Sequence, residues 1–348
     1  MTVNQVTIAQ PVLLDYNDLL NPNADLNSLI DKAFGNKTGS LGVCLVKNVP
    51  DLPLLRKNLL LLASEFTKLP SQTINKYVHQ QSTYSFGWSH GKEIMNGKPD
   101  FAKGSYYNNP TYEIPPSSKD PEYVKSNPFY GHQNIWPNQE LPQLQPAFMD
   151  LGKKIVDVGI LLAKHCDKFI NKDLSTKKDL ITNAIEKSET HKARLLHYFP
   201  ITPEDVKETS DGGNLDSWCG LHVDHSMLTG LTSAMFVDES IYPFEEKDKS
   251  SPEMKDILKT AGLYIKDRDD HYIKVNIPAD CLAFQIGEAA QVASNGLFIS
   301  TPHLVKGASA PFLARNTFAV FMQPNIDYKL NDTTTFLDFT EEVFKRHY

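Results

Sequence analysis

GLHVDHSMLTGLTSAMFV, residues 220–237, holds short β-prone runs broken by Gly and Ser. It reads as strand, and in a strand residues i and i+2 share a face. His222 and Asp224 therefore point the same way, while His225 turns to the other face, where a structural role is expected. Similar runs surround it: ARLLHYF (193–199), GLYIKD (262–267), YIKVNI (272–277), CLAFQIG (281–287) and TFAVFMQP (317–324). Short strands separated by turn residues are the pattern of a sandwich or barrel. A charged, Pro-containing segment at 239–260 interrupts it with a loop and a short helix.

Ahead of this β-rich half the period is different. PVLLDY (11–16) and LGVCLVKNV (41–49) suit strands, but Leu26–Phe34 and Leu54–Thr67 carry helical apolar stripes. Residues 146–187 are helical again, with Phe148, Leu151, Ile155, Val158, Leu162 and Cys166 on one face. Residues 80–145 are rich in Pro, Gly, Asn and aromatics and predict packed loops with short elements. Thr335–His347 predicts a closing helix. The whole reads as a helical N-terminal half followed by an all-β C-terminal half.

The chain has 348 residues, 41% hydrophobic and 22% charged, with a net charge of -7. Mixed charge without a basic block excludes a nucleic-acid partner that depends on phosphate contacts. No run of 18 apolar residues is present, so no membrane-spanning helix or membrane partner is expected. MTVNQVTIAQPVLLDY lacks the charged and apolar regions of a secretory signal. Cys44, Cys166, Cys219 and Cys281 are scattered, which predicts reduced thiols and a cytoplasmic location. The sequence leaves the oligomeric state open.

An imidazole and a carboxylate on one strand face, joined by one distant His, give three ligands on one face of an octahedron. The remaining positions stay open for a co-substrate and O2, which is the 2-His-1-carboxylate arrangement of Fe(II). His165-Cys166-Asp167 repeats the spacing, but in a helix i and i+2 diverge, so it receives no metal role.

The distal half of the constellation lies in GEAAQVASNGLFISTPHLVKGASAPFLARNTFAVFMQ, residues 287–323. Here Gly287-Glu288 precedes Ser294-Asn295-Gly296, then His303-Leu304-Val305, then Arg315-Asn316-Thr317-Phe318. These elements, in this order after His222 and Asp224, resemble the isopenicillin N synthase-like family of Fe(II)- and 2-oxoglutarate-dependent oxygenases. The likeness extends over most of the chain. It implies a fold that is mainly β with α: a double-stranded β-helix (jelly roll) core flanked by N-terminal helices and a C-terminal helix. The expected divisions are an N-terminal dioxygenase-like region (1–120), connecting loops and a long helix (121–190), the core (191–330) and a terminal helix (331–348).

The resemblance implies metal ligands His222, Asp224 and His303. It also implies Arg315 and Thr317 as the anchor for the distal carboxylate of 2-oxoglutarate, with Fe(II), O2 and a small organic substrate as the other participants. Arg315 suits the anchor because a guanidinium meets a carboxylate through two parallel hydrogen bonds. Where many family members have Asn and Tyr, this chain is expected to place His197 and Phe199. His197 is thus a candidate co-substrate contact, with a core histidine as the alternative. The long spacing from Asp224 to His303 is accounted for by the 239–260 segment. Lys103 to Tyr107 and Trp88 read as packing, with pocket lining as the alternative. Gln291 and Gln323 are expected to support strand hydrogen bonding, and Gly287 and Gly296 to be turn glycines. Three functional readings stand: a 2-oxoglutarate-dependent oxygenase, an iron oxidase of the same fold that does not use 2-oxoglutarate, and an inactive jelly-roll binding protein.

Overall fold

The run Leu313–Met322 forms one ten-residue strand at the centre of the computed structural model, which describes residues 7–95, 98–172, 179–201, 218–308 and 310–347. Along the chain the strands are β1 (Thr7–Ala9), β2 (Val12–Asp15), β3 (Val43–Lys47), β4 (Gly87–His90), β5 (Ile94–Met95), β6 (Lys98–Pro99), β7 (Lys103–Asn108) and β8 (Lys192–Tyr198). They continue as β9 (Cys219–His222), β10 (Leu228–Thr232), β11 (Met235–Asp238), β12 (Gly262–Lys266), β13 (Tyr272–Val275), β14 (Leu282–Ile286), β15 (His303–Lys306) and β16 (Leu313–Met322).

Two sheets face each other. The larger has the order β2-β3-β14-β10-β16-β8-β7-β4, with β11 also paired to β16; the smaller is β1-β13-β12-β15-β9. The jelly-roll expectation holds: the fold is mainly β, with helices packed outside.

Strand alternation explains both surfaces of β16. Phe318, Val320 and Met322 turn outward into one hydrophobic cluster with Phe148, Leu151, Ile155 and Leu162 of the helix Leu144–Ile170. Phe318 meets Phe148 edge to face at 4.9 Å, a geometry worth about 0.5–1.5 kcal/mol beyond the area it buries. Arg315, Thr317, Ala319 and Phe321 turn inward and line a cavity between the sheets.

Helices form where the apolar spacing predicts them. Leu52–Thr67 starts two residues before the apolar stripe, because Pro53 fits the first turn. The 146–187 segment resolves into Leu144–Ile170 and Leu180–Glu186, with 173–178 outside the described residues. The 239–260 segment carries the helix Pro252–Ile257, and the chain closes with Phe336–His347.

The expected split into a helical half and a β half is corrected. β2, β3, β4 and β7 belong to the larger sheet, and β1 lies parallel to β13 in the smaller one. These pairings are non-local, so no local period in the N-terminal third reveals them.

Candidate metal centre

β9 and β15 are antiparallel neighbours, and their register sets His222 opposite His303. His222 is the last residue of β9, and Asp224 lies outside the strand, in the turn before β10. Backbone contacts hold that turn in place. Glu288 N–H donates to the Asp224 carbonyl at 2.7 Å and Gly287 N–H to that of Met227 at 3.1 Å. A Cβ on Gly287 would come within 2.0 Å of the Ser226 carbonyl oxygen. This glycine therefore serves close backbone approach, whereas Gly296, at φ 76°, is a turn glycine as expected.

One metal-binding atom from each of His222, Asp224 and His303 lies within 4.8 Å of the others. Asp224 Oδ1 is 3.7 Å from His222 Nε2 and 3.8 Å from His303 Nε2. Two ligands bound at about 2.1 Å can stand at most about 4.2 Å apart, so each of these pairs can share an ion. Both rings are oriented for it. His222 Nδ1 donates to the Gly220 carbonyl at 2.8 Å and His303 Nδ1 to that of Thr301 at 3.2 Å. With Nδ1 carrying the proton, Nε2 of each ring faces the shared point. Burial lowers the pKa of His222, but Cys219, Asp224 and the Gly220 carbonyl outweigh it and raise it to about 9, so an ion taken up at its Nε2 displaces a proton.

Burial, reinforced by His222, lowers the pKa of His303 to about 4, so its ring is neutral near pH 7. Burial favours protonated Asp224, but His303, His222 and Thr229 outweigh it and hold the group below its ordinary value. The residues present therefore fit a divalent metal of the 2-His-1-carboxylate kind. Asp224 and His303 are buried, and His222, with its side chain 42% exposed, marks the open side.

The triad lines a cavity of about 440 Å³ that also takes in Tyr198, Arg315 and Thr317. Arg315 sits in the wall with Nε and Nη1 buried and without a hydrogen-bond partner among the described residues. Its guanidinium carbon stands 4.9 Å over the Tyr198 ring. Thr317 Oγ1 reaches the Thr232 carbonyl at 3.4 Å. Unsatisfied buried donors are costly, at roughly 1–3 kcal/mol each, and a carboxylate at this end of the cavity would satisfy them.

His197 is corrected. It is buried on the opposite face of β8, where its Nδ1 lies 2.8 Å from Asn316 Oδ1, and it does not line the metal cavity. Phe199 packs against His90 and His197. The residues of β8 that face the cavity are Arg194, Leu196 and Tyr198, one position out of step with the expected assignment. Tyr198 thus stands beside Arg315, in cross-strand register with it. The signal was hidden because Leu195 to Phe199 is apolar or aromatic almost throughout, and both faces of the strand are covered.

Arg194 was not anticipated either. It lines the cavity with Nε on Ser105 Oγ at 2.9 Å and Nη2 on Glu93 Oε1 at 2.5 Å. Its strand spacing from Tyr198 could have indicated it. Lys103 joins the same polar cluster through Asp100 and Glu93. Trp88 packs on Phe66 and faces away from the metal cavity.

His225 stacks on Phe336 with an interplanar angle of 6°, a structural role. The helical His165-Cys166-Asp167 has one too: Asp167 accepts from the backbone of Ile181 and Thr182. Gln291 is corrected, since it lies on the helix Glu288–Ala293 and holds Ser300. Gln323 donates to the Thr190 carbonyl just beyond β16.

No protein-family model and no curated protein sequence matches the chain. Solved structures do. Full-length Neurospora crassa T7H in complex with alpha-KG aligns over 94% of this chain and 88% of its own, at 18% identity and TM-score 0.63. A Caulobacter crescentus protein assigned to the 2OG-Fe(II) oxygenase family aligns over 98% and 100%, at 17% identity and TM-score 0.65. JOX2 in complex with 2OG, Fe and JA aligns over 99% and 87%, at 15% identity and TM-score 0.59.

The fold is the one these oxygenases share. Sequence identity is low throughout, so the shared architecture stops short of fixing the chemistry. Among the described residues no helix is long and apolar enough to cross a membrane.

Proposed function

We propose that this chain is an Fe(II)- and 2-oxoglutarate-dependent oxygenase of the isopenicillin N synthase-like kind, acting on a small organic substrate. His222, Asp224 and His303 are its metal ligands. Arg315 and Thr317 receive the distal carboxylate of 2-oxoglutarate, and 191–330 is the core that carries them. The observation behind this reading is a single cavity with three convergent side chains of metal-ligand type and, in the same wall system, a buried guanidinium with two nitrogens unpartnered among the described residues. A cation site and a carboxylate site in one cavity suit a small 2-oxo dicarboxylate.

Iron bound by the triad would supply O2 activation coupled to decarboxylation. In the overall balance 2-oxoglutarate, O2 and a C–H bond become succinate, CO2 and a C–OH group. The chain's own residues bind and orient. The Nδ1–carbonyl contacts fix both imidazoles, and Asp224 is held as a carboxylate. Arg315 fixes the co-substrate's far end, and Tyr198, packed beneath its guanidinium, limits its rotamers. Leu196, Leu231, Val305 and Phe321 line the space between and keep water out. Such placement, not a protein nucleophile, is what this site contributes.

Anaerobic titration with Fe(II) and then 2-oxoglutarate tests the reading. A weak charge-transfer band in the visible is expected, followed under air by succinate formation. Absence of both refutes it.

A further inference from the structure

The cavity has a second cation at its anchor end. Lys249, from the segment between β11 and β12, lines the same space as Arg315 and Thr317. Its placement is built rather than incidental. Lys247 N–H donates to the Phe236 carbonyl at 2.8 Å and Val237 bridges to Glu246, so the segment runs along β11. β11 in turn pairs with β16, with Phe236 opposite Arg315.

Arg56, on the helix Leu52–Thr67, clamps the segment from beneath. Its Nη1 and Nη2 meet Glu246 Oε2 and Oε1 at 2.9 and 2.7 Å, and its Nε donates to the Ser233 carbonyl at 2.7 Å. Lys249 Nζ then donates to Ser233 Oγ at 2.9 Å. The single Ser233 hydroxyl proton goes to the Ile277 carbonyl at 2.6 Å, so toward Lys249 this oxygen only accepts. Ser233 follows Thr232, whose carbonyl accepts from Thr317. Two hydrogen bonds joined by one peptide bond thus connect Lys249 to Thr317.

The charges do not balance. Glu246 gives both oxygens to Arg56. Asp224 is the one carboxylate lining the cavity among the described residues, and it lies in the metal triad. Arg194 is matched by Glu93, and Lys274 donates to the Leu258 carbonyl. Lys259 pairs with Asp256 and Lys255 is exposed at the rim. Of the cations set deeper in the lining, Arg315 and Lys249 have neither a carboxylate within ion-pair distance nor a backbone carbonyl as partner among the described residues. Burial, with Arg56 and Arg315 adding to it and outweighing the opposing pull of Glu246, lowers Lys249 to about 8.

We propose that Lys249 is a second cationic contact for the distal carboxylate of the 2-oxo acid, acting together with Arg315; this rests on the co-substrate reading above. The 239–260 segment then contributes directly to the site, because it supplies half of the anion's counter-charge. Two cations on one carboxylate also make the site discriminate strongly against 2-oxo acids without a distal charge.

The test is calorimetric titration of the Mn(II)-loaded full chain, without turnover, with 2-oxoglutarate and with 2-oxopentanoate, which lacks the distal carboxylate. Lys249→Gln keeps an uncharged N–H donor on a side chain one atom shorter and removes the charge, and Lys249→Arg restores the charge. The Gln variant is expected to bind 2-oxoglutarate about tenfold more weakly, to bind 2-oxopentanoate as the wild type does, and to regain 2-oxoglutarate affinity as Arg. Unchanged 2-oxoglutarate affinity in the Gln variant overturns the inference, and so does equal weakening toward both acids, which would mark Lys249 as structural. In either case wild-type binding and an Arg315 effect leave the proposed function standing. Wild-type protein that binds no 2-oxoglutarate removes both.

Discussion

Replacing Arg315 with Met should do two opposite things, and the structure gives the size of each. Without a co-substrate the guanidinium keeps two buried nitrogens, Nε and Nη1, unpartnered among the described residues. At roughly 1–3 kcal/mol each, less the packing that Met does not recover, their removal should stabilise the empty protein by about 2 kcal/mol. A chain of 348 residues, at about 2.1 cal/mol/K per residue, loses about 0.7 kcal/mol of stability per degree at the midpoint. The melting temperature should therefore rise by about 3 °C. With Mn(II) and 2-oxoglutarate the order reverses. Ligand at a hundredfold excess over Kd adds about 2.7 kcal/mol, or about 4 °C by the same conversion. Arg315→Met loses two charge-assisted hydrogen bonds worth roughly 1.5–3 kcal/mol each, so its affinity should fall by about 10² or more and the ligand-induced shift should vanish. Differential scanning calorimetry of both proteins, with and without co-substrate, measures all four states. A variant that keeps the wild-type shift with 2-oxoglutarate refutes the anchor assignment. A variant whose empty form melts well below wild type refutes the claim that Arg315 is held at a cost to stability.

Other outcomes follow from the same coordinates. Gly287→Ala should destabilise the fold by about 1–3 kcal/mol, because its Cβ meets the Ser226 carbonyl, and should weaken metal binding through the displaced Asp224 turn; urea titration and Mn(II) binding check it, and an unchanged midpoint and Kd would contradict it. His303→Ala should weaken Mn(II) by about a hundredfold or more while leaving the far-ultraviolet dichroism intact, which equilibrium dialysis and spectroscopy measure. His191 is buried with its pKa lowered to about 4 by burial, against about 6.5 when unfolded. The unfolded chain takes up that proton first, so this contribution to stability is complete above pH 6.5, shrinks as pH falls toward 4, and is constant below. The loss is at most about 3 kcal/mol. His191→Gln should flatten urea-derived stability across that window, and an unaltered slope would show that other groups carry the acid sensitivity.

The parts of the site legible in the sequence are those with local meaning. His222 and Asp224 share a short segment, and His303 and Arg315 lie on strands whose period is plain. The helical reading of His165-Cys166-Asp167 was enough to set it aside. The register of β8 was not legible, because Leu195, Leu196, His197, Tyr198 and Phe199 offer no polar alternation to say which face looks inward. Lys249 lay in a charged stretch that resembles a solvated loop, and only the Arg56–Glu246 pairing, 190 residues apart in sequence, shows that it is turned inward. β2, β3, β4 and β7 pair with strands far along the chain, and their hydrophobic runs carried no indication of partner.

β14 has β3 on one flank, and β8 has β7. If the chain were cut near residue 190, the C-terminal piece would keep every metal-ligand side chain yet present two bare rows of backbone donors and acceptors, ready to zip onto a second copy. The His-Asp-His pattern is therefore not a transplantable module. It depends on a border supplied by β3 and β7, and any recombination or truncation that respects the motif but ignores that border should yield aggregates instead of a smaller folded protein.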